Sequence, residues 1–381
     1  MTSIREAIRR RFAPLRPIDP GLYHYQSPSY AEFPYRMHLR IEPSGDGILI
    51  IDAATVLHLN QTAAEYAYHL MKETPQDEVI RRMAARYQIS KERIQSDYQD
   101  LKNRIFTLID IPDLDPVTFL ELDRDTPYST DVSAPYRLDC ALTYRLPEGV
   151  APSTAPTKRV DRELSTEEWR TIMDKAWKVG IPHIVFTGGE PTLRPDLPAL
   201  ISHAEANGQV TGLLTDGIAL ANPEYFNTLL QTGLDHLMVV LQPKNKNVWK
   251  ALEIILPADL FTTVHLTLTP DEAEMVPDIL PKLAEMGLNA ISLSSSSPEL
   301  DELLQNARDL AADLELPLVW DLPVPYSARN PVALETGEDE PANGAGKIWL
   351  YVEPDGDVLP AQGINNILGN FLRDGWKTIW Q

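Results

Sequence analysis

The chain has one cysteine, Cys140. No disulfide can form within it, and a lone thiol fits a reducing compartment. No apolar run approaches the roughly 18 residues that a membrane-spanning helix requires, and the first residues lack the apolar core of a secretory signal. The expectation is a cytoplasmic protein without a transmembrane segment. Positive charge is also scarce: 34 Lys and Arg stand against 55 Asp and Glu, a formal net charge of -21. Such a body repels phosphate backbones, which argues against nucleic acid as a partner. The histidines at 24, 38, 58, 69, 183, 203, 236 and 265 show no metal-ligand spacing. Proline, by contrast, is plentiful, and many loops are stiff as a result.

A chain of 381 residues is long enough for two or three domains. Ile4, Ile8 and Phe12 share a helical face among Arg5, Arg9, Arg10 and Arg11, which reads as a short helix packed on the acidic body or docked on a partner or anionic surface. Residues 22–34, rich in Tyr, Ser and Pro and without a period, read as a linker. Residues 35–111 read as a small domain of three strands (36–41, 47–51, 55–59) followed by three helices, with Asn60, Thr74 and Ser90 as caps. Pro and Asp then crowd residues 112–135, where the period is lost and a domain boundary is expected.

Beyond it the pattern alternates. Strands are expected at 137–143, 183–187, 210–214, 236–241, 263–268 and 290–293. Helices are expected at 166–179, 196–207, 223–232, 248–255, 271–286 and 298–314. Six βα units in series predict an α/β parallel barrel, complete or partial. Ser165 and Glu168 form a capping box for the first of its helices. Residues 346–360 read as a hairpin turning at Pro354-Asp355-Gly356. Asp355 and Asp357 beside that glycine suit either the turn or calcium, and Ser294 to Ser297 suit either a helix cap or a bound phosphate or peptide.

The stretch that organises the barrel is Val185-Phe-Thr-Gly-Gly-Glu-Pro-Thr-Leu-Arg-Pro-Asp-Leu197. Gly188 and Gly189 permit positive φ and close backbone approach. Glu190 leaves a carboxylate at the C-terminal end of a strand, where parallel barrels build their sites. The string Gly188-Gly189-Glu190-Pro191 resembles the GGEP motif of radical S-adenosylmethionine (SAM) enzymes, whose loop receives the amino group of SAM. The resemblance runs over residues 137–320 and implies a partial (β/α)6 TIM-like barrel. It also implies a cofactor site of Gly188, Gly189, Glu190, Pro191, Thr215, Asp216, Gly217 and Gln242, with Asp216 where the family carries Asn. The alternative is that these glycines serve only their own turns.

After Leu142-Thr143-Tyr144-Arg145 the family continues into CxxxCxxC, three thiolates that hold a four-iron cluster. Here those positions are Leu146, Val150 and Ser153. Leu and Val offer no lone pair, no His lies between 137 and 182, and Cys140 comes six residues early within a strand. The iron-sulfur cluster is therefore expected to be absent, and radical chemistry with it. Pro147, Pro152 and Pro156 are expected to stiffen this loop over the barrel mouth and close it.

Residues 35–111 resemble the PqqD-like peptide-recognition domain, a winged helix in which a leader peptide adds a strand to the sheet edge and lies against the third helix. That implies peptide binding along Thr55, Val56, Leu57, His58 and Leu59. The alternatives are a winged helix that only packs on its neighbour, or a DNA-binding one, which Asp77, Glu78, Glu92, Asp97 and Asp100 oppose. Residues 326–381 resemble the start of a SPASM-type extension, with Ala361 where a cluster-binding cysteine would stand. The domains expected are 1–34, 35–111, 112–135, 136–325 and 326–381. The readings that follow are a binding protein for a precursor peptide or an intact radical SAM partner, a non-radical SAM-using enzyme, and a structural subunit of a larger complex. In the enzyme reading Tyr144, Glu190 or Asp216 is the acid or base. No cofactor is assigned outright, and SAM stays open.

Overall fold

A computed structural model describes residues 18–28, 30–31, 34–53, 55–111, 132–335 and 344–380, with Leu114 and Phe119 besides. The helix expected at 4–12 and most of the linker expected at 112–135 lie outside the described residues. The chain divides into two compact units, residues 1–126 and 127–381.

The first unit is an antiparallel sheet in the order β1-β2-β3-β4, formed by Gly21–Gln26, Arg36–Ile41, Gly47–Ile51 and Thr55–Leu59. Three helices follow, α1 (Gln61–Met71), α2 (Gln76–Tyr87) and α3 (Lys91–Asp110). Strand β1 corrects the linker expected at 22–34. Tyr23 meets Tyr68 edge-on at 4.9 Å, and Tyr25 packs on Tyr35 at 5.8 Å. Two alternating aromatics thus anchor an edge strand whose composition otherwise resembles a loop.

Asn60 and Ser90 cap α1 and α3, accepting from the amides of Ala63 and Arg93. Thr74 does not cap α2, which starts after Pro75; its hydroxyl instead lies 3.1 Å from His69 Nδ1. Met37, Leu39, Leu49, Ile51 and Leu57 face Ala64, Ala67 and Ile105 in the core between sheet and helices. β4 closes the sheet, and its outer edge pairs with no strand among the described residues.

The second unit holds six parallel strands, β5 (Arg137–Thr143), β6 (His183–Gly188), β7 (Val210–Thr215), β8 (His236–Val240), β9 (Phe261–Leu268) and β10 (Ala290–Ser295). Helices α4 (Thr166–Val179), α5 (Leu197–Asn207), α6 (Pro223–Leu230), α7 (Lys246–Ile255), α8 (Val276–Glu285) and α9 (Asp301–Asp313) alternate with them. The sheet runs β10-β9-β8-β7-β6-β5 in strict sequence, the α/β barrel arrangement expected from the six repeats. The Ser165–Glu168 capping box opens α4. Side chains alternate along each strand. Leu138, Cys140, Ile184, Phe186, Leu213, Leu237 and Leu266 enter the main core with Trp169 and Leu200, whereas Val185, Leu214 and Met238 form a separate small cluster with Leu322.

The C-terminal hairpin extends the barrel sheet rather than standing apart. β11 (Trp349–Val352) pairs in parallel with β5, and β12 (Asp357–Leu359) and β13 (Gly369–Asn370) follow antiparallel. Asp355 Oδ1 accepts from the amide of Asp357 at 3.2 Å, and Gly356 has φ +91, so the turn accounts for this pair of aspartates. Helix α10 (Trp376–Ile379) completes the described chain.

Candidate functional site

The C-terminal ends of β5, β6 and β7 meet around the motif Gly188 to Pro191. Gly188 has φ +122, and a side chain there would reach 2.3 Å from the carbonyl of Thr143. Gly189 lacks a positive φ, and its constraint is the Arg145 carbonyl, 2.3 Å from where a Cβ would sit. Both glycines therefore let the loop after β6 press on the loop after β5, with Gly189 N donating to Thr143 O at 2.8 Å and Glu190 N to Arg145 O at 2.9 Å. Arg194 locks the same junction, donating to the carbonyls of Leu142 and Leu164 and pairing with Asp196. The close approach sought for a ligand is made here by the protein's own backbone.

Glu190 is 3% exposed. Its Oε1 accepts from Thr192 N at 2.9 Å, the Thr192 hydroxyl at 2.5 Å and the Thr215 hydroxyl at 2.7 Å, and its Oε2 from Asp216 N at 2.8 Å. Gly217, in the left-handed region at φ +75, turns the chain so that Asp216 caps Ile218 N at 2.9 Å. Burial, and then the charge of Glu190, pushes the Asp216 carboxyl up to about 8. Thr215, Asp216, Gly217 and Glu190 are thus one hydrogen-bonded unit. Gln242 stands apart from it, with its Oε1 accepting from Asn245 at 3.1 Å.

A cavity of about 390 Å³ opens beside this unit, lined by Gly189, Glu190, Asp216, Val240 and Gln242, with Pro147 and Val150 from the loop after β5. The expectation that the proline-rich loop closes the mouth is corrected: the loop walls the cavity and does not fill it. The far wall is Pro325 to Arg329, tied across the mouth by Arg329, which donates to both carboxylate oxygens of Glu272.

The three positions that would hold a cluster do not share one environment. Leu146 packs against the cluster that holds Tyr144, Tyr326 and Tyr351, Val150 lines the cavity, and Ser153 is exposed in a single 3-10 turn. None carries a thiol or imidazole, so the residues present do not fit the group. Ala361, at the SPASM-like position, likewise offers no ligand atom.

A guanidinium ties this region together. Arg159 NH1 lies 3.0 Å from Glu335 and also meets Asn365, and NH2 is 3.2 Å from the Tyr326 hydroxyl. Its Nε is 3.2 Å from Glu353 Oε1, an ion pair rather than an aligned hydrogen bond. Tyr144 is drawn into the same network: its hydroxyl donates to Glu353 at 2.8 Å, and burial pushes it well up. Its hydroxyl is committed to Glu353, and it does not line the cavity. Nothing in the local sequence marks Arg159, since its partners are 167 to 206 residues distant.

The serines in and after β10 and the residues of β4 lie as follows. Ser297 precedes a 3-10 turn without a capping bond from its side chain. Ser294 and Ser292 instead bond His265, at 3.1 Å to Nε2 and 2.9 Å to Nδ1. Burial pushes that imidazole down to about 4, so it is neutral in its polar niche. Along β4, Leu57 is buried, His58 exposed, and Thr55, Val56 and Leu59 half-buried.

The sequence profile described as "Radical SAM superfamily" matches residues 140–253. The PqqA peptide cyclase of Streptomyces rochei is 29% identical over 251 residues, 58% of this chain and 68% of that protein. The PqqA peptide cyclase of Granulibacter bethesdensis is 26% identical over 244 residues, 56% of this chain and 63% of the relative. The aligned region thus spans about two thirds of these relatives' length. The structure of Streptococcus suis SuiB bound to S-adenosylmethionine superposes with a TM-score of 0.56 at 15% identity, over 94% of this chain and 88% of SuiB. SuiB bound to its precursor peptide SuiA gives 0.57 at 15% identity, over 90% and 87%. At that identity the likeness shows the fold. No helix among the described residues is long and apolar enough to cross a membrane. Residues 140–253 therefore form a radical SAM domain, in a chain homologous to the PqqA peptide cyclases.

Proposed function

We propose that this chain is a radical SAM-like protein of the cytoplasm that works without an iron-sulfur cluster, by binding a precursor peptide or an intact radical SAM partner. The observation that carries this reading is the replacement of the three thiolate positions by Leu146, Val150 and Ser153, which face a tyrosine cluster, the cavity and solvent. Reductive cleavage of SAM needs an electron from a cluster, and these side chains supply no ligand for one. Anaerobic reconstitution with ferrous iron and sulfide should leave less than about 0.2 iron per chain; roughly four iron atoms with a charge-transfer band would sink the proposal.

Binding is assigned to the PqqD-like unit, where β4 offers an outer edge for an added strand. The relatives named PqqA peptide cyclase, and SuiB bound to SuiA, support a peptide as the occupant. Successive backbone amides of a strand point to opposite edges. Proline at those positions of 55–59 whose amides face outward should therefore weaken binding of the cognate leader roughly tenfold with the fold retained, whereas at the others it removes a hydrogen bond to β3 and lowers stability. Equal loss at all five would indicate damage to the sheet, and no loss at any would remove this edge from the reading.

A second reading is favoured by the cavity. Glu190 and Asp216 still face a space of about 390 Å³, the place where the resemblance puts the SAM amino group. In that reading SAM binds at the mouth and takes part in a polar reaction, with the two carboxyl groups as acid and base.

A further inference from the structure

The sheet of the first unit ends in a strand that its core does not require. The buried side chains of that core come from β2, β3, β4, α1 and α3, and Tyr23 and Tyr25 of β1 pack on it only in part. β1 is half-buried from Leu22 to Tyr25 and exposed at both ends. What holds it is particular to its sequence. Its six residues pair antiparallel with β2, from Gly21 opposite Ile41 to Gln26 opposite Arg36. Tyr23 meets Tyr68, with the Lys72 ammonium 5.9 Å from its ring centre. Tyr25 rests on Tyr35, which Phe106 meets edge-on at 6.1 Å, and its hydroxyl donates to Glu73 at 3.3 Å. Two sockets therefore accept aromatic side chains two residues apart on one face of a strand.

Ser27 and Tyr35 extend the ladder, with Ser27 N donating to Tyr35 O at 2.9 Å and Tyr35 N to Ser27 Oγ at 2.8 Å. Seven residues join them, beginning and ending in proline, Pro28 and Pro34. Proline biases the residue before it toward extended backbone, so this connection resists folding back. Drawn out, it reaches roughly 22 Å, against about 14 Å across four strands. A chain whose β1 has left presents an unpaired β2 edge and two empty sockets, and the strand that fits both is β1 itself. We infer that β1 is exchangeable, and that two copies of this chain dimerise by trading it, each β1 completing the other copy's sheet. The exchanged sheet remakes every contact of the closed one. The entropy of association is then the main cost, and concentration offsets it. The outer edge of β4 is untouched, so a peptide added there and the exchange do not compete.

The test begins with light scattering on the unsubstituted full chain between about 5 and 500 µM after long equilibration. A dimer should appear at the upper end of the range, and Gly-Ser-Gly inserted after Ala31, which eases the fold back, should lower its fraction roughly tenfold. Monomer at every concentration, or a dimer that the insertion leaves unchanged, overturns the inference. The place of the strand is read by mixing one chain carrying Gln26→Cys with another carrying Arg36→Cys, residues that face each other across β1 and β2. Cys140 is buried and takes no part. Oxidation of the equilibrated mixture should give a covalent dimer of the two that reductant releases. No such species, where a chain carrying both substitutions does form the bond, overturns it as well.

Discussion

Replacing Arg159 by leucine should destabilise the barrel unit by about 3 kcal/mol, a fall in Tm on the order of 6–12 °C for a unit of this size. The guanidinium contacts Glu335, Glu353 and the Tyr326 hydroxyl, and its side chain is only 24% exposed. Leucine supplies the bulk of the stem and none of the charge, leaving Glu353, 3% exposed, with the Tyr144 hydroxyl and without the Arg159 cation. The cost is the uncompensated carboxylate more than the lost pair. Glu353→Gln in the Arg159→Leu background should therefore recover part of the loss, and the double-mutant cycle should show coupling of at least about 1 kcal/mol. Strict additivity would mean that Arg159 acts through packing alone. Hydrogen exchange gives a separate readout, because faster exchange should be confined to residues 146–160 and 324–335 and the neighbourhoods of Glu353 and Asn365, the segments that this guanidinium joins.

Asp216→Asn should have the opposite sign and a strong pH dependence. The folded chain holds the Asp216 proton up to about 8, whereas an unfolded aspartate loses it near 3.8. Between those values unfolding releases a proton, so stability falls as pH rises through the window and levels off above it. Asparagine carries no such penalty. The variant should match the parent near pH 4 and exceed it by about 2–4 kcal/mol at pH 8. Urea midpoints at pH 4, 6 and 8 read this directly. A constant difference, or a variant less stable at pH 8, would mean that burial and the neighbouring Glu190 do not hold the Asp216 proton in the folded chain.

The barrel was legible because its signals are local. A strand of alternating apolar residues, a Gly-rich turn and a capped helix each occupy fewer than about 20 residues, and β5 to β10 fall within a few residues of their expected limits. Where the reading failed, the deciding partner was distant in sequence or the local signal was ambiguous. Strand β1 depends on Tyr68, more than forty residues after it, and Thr74 was claimed by His69 instead of the helix it precedes. Gly189 carried the right residue for a different reason, since the Arg145 carbonyl stands where a side chain would go.

Residue types and their spacing set what the chain can hold. Thiolates are absent at 146, 150 and 153, a carboxyl stands at 216, and six βα repeats demand a common hydrophobic core, because these are properties of residue type and periodicity that no packing can reverse. Tertiary structure alone decided which charges are buried together. It placed Arg159 among Glu335, Glu353 and Tyr326, turned Tyr144 away from the cavity, joined the C-terminal hairpin to β5, and set Asp216 beside Glu190 in a mouth that stays open. A carboxyl group's effect on its neighbours depends on distance and local dielectric, and neither exists until the chain has folded.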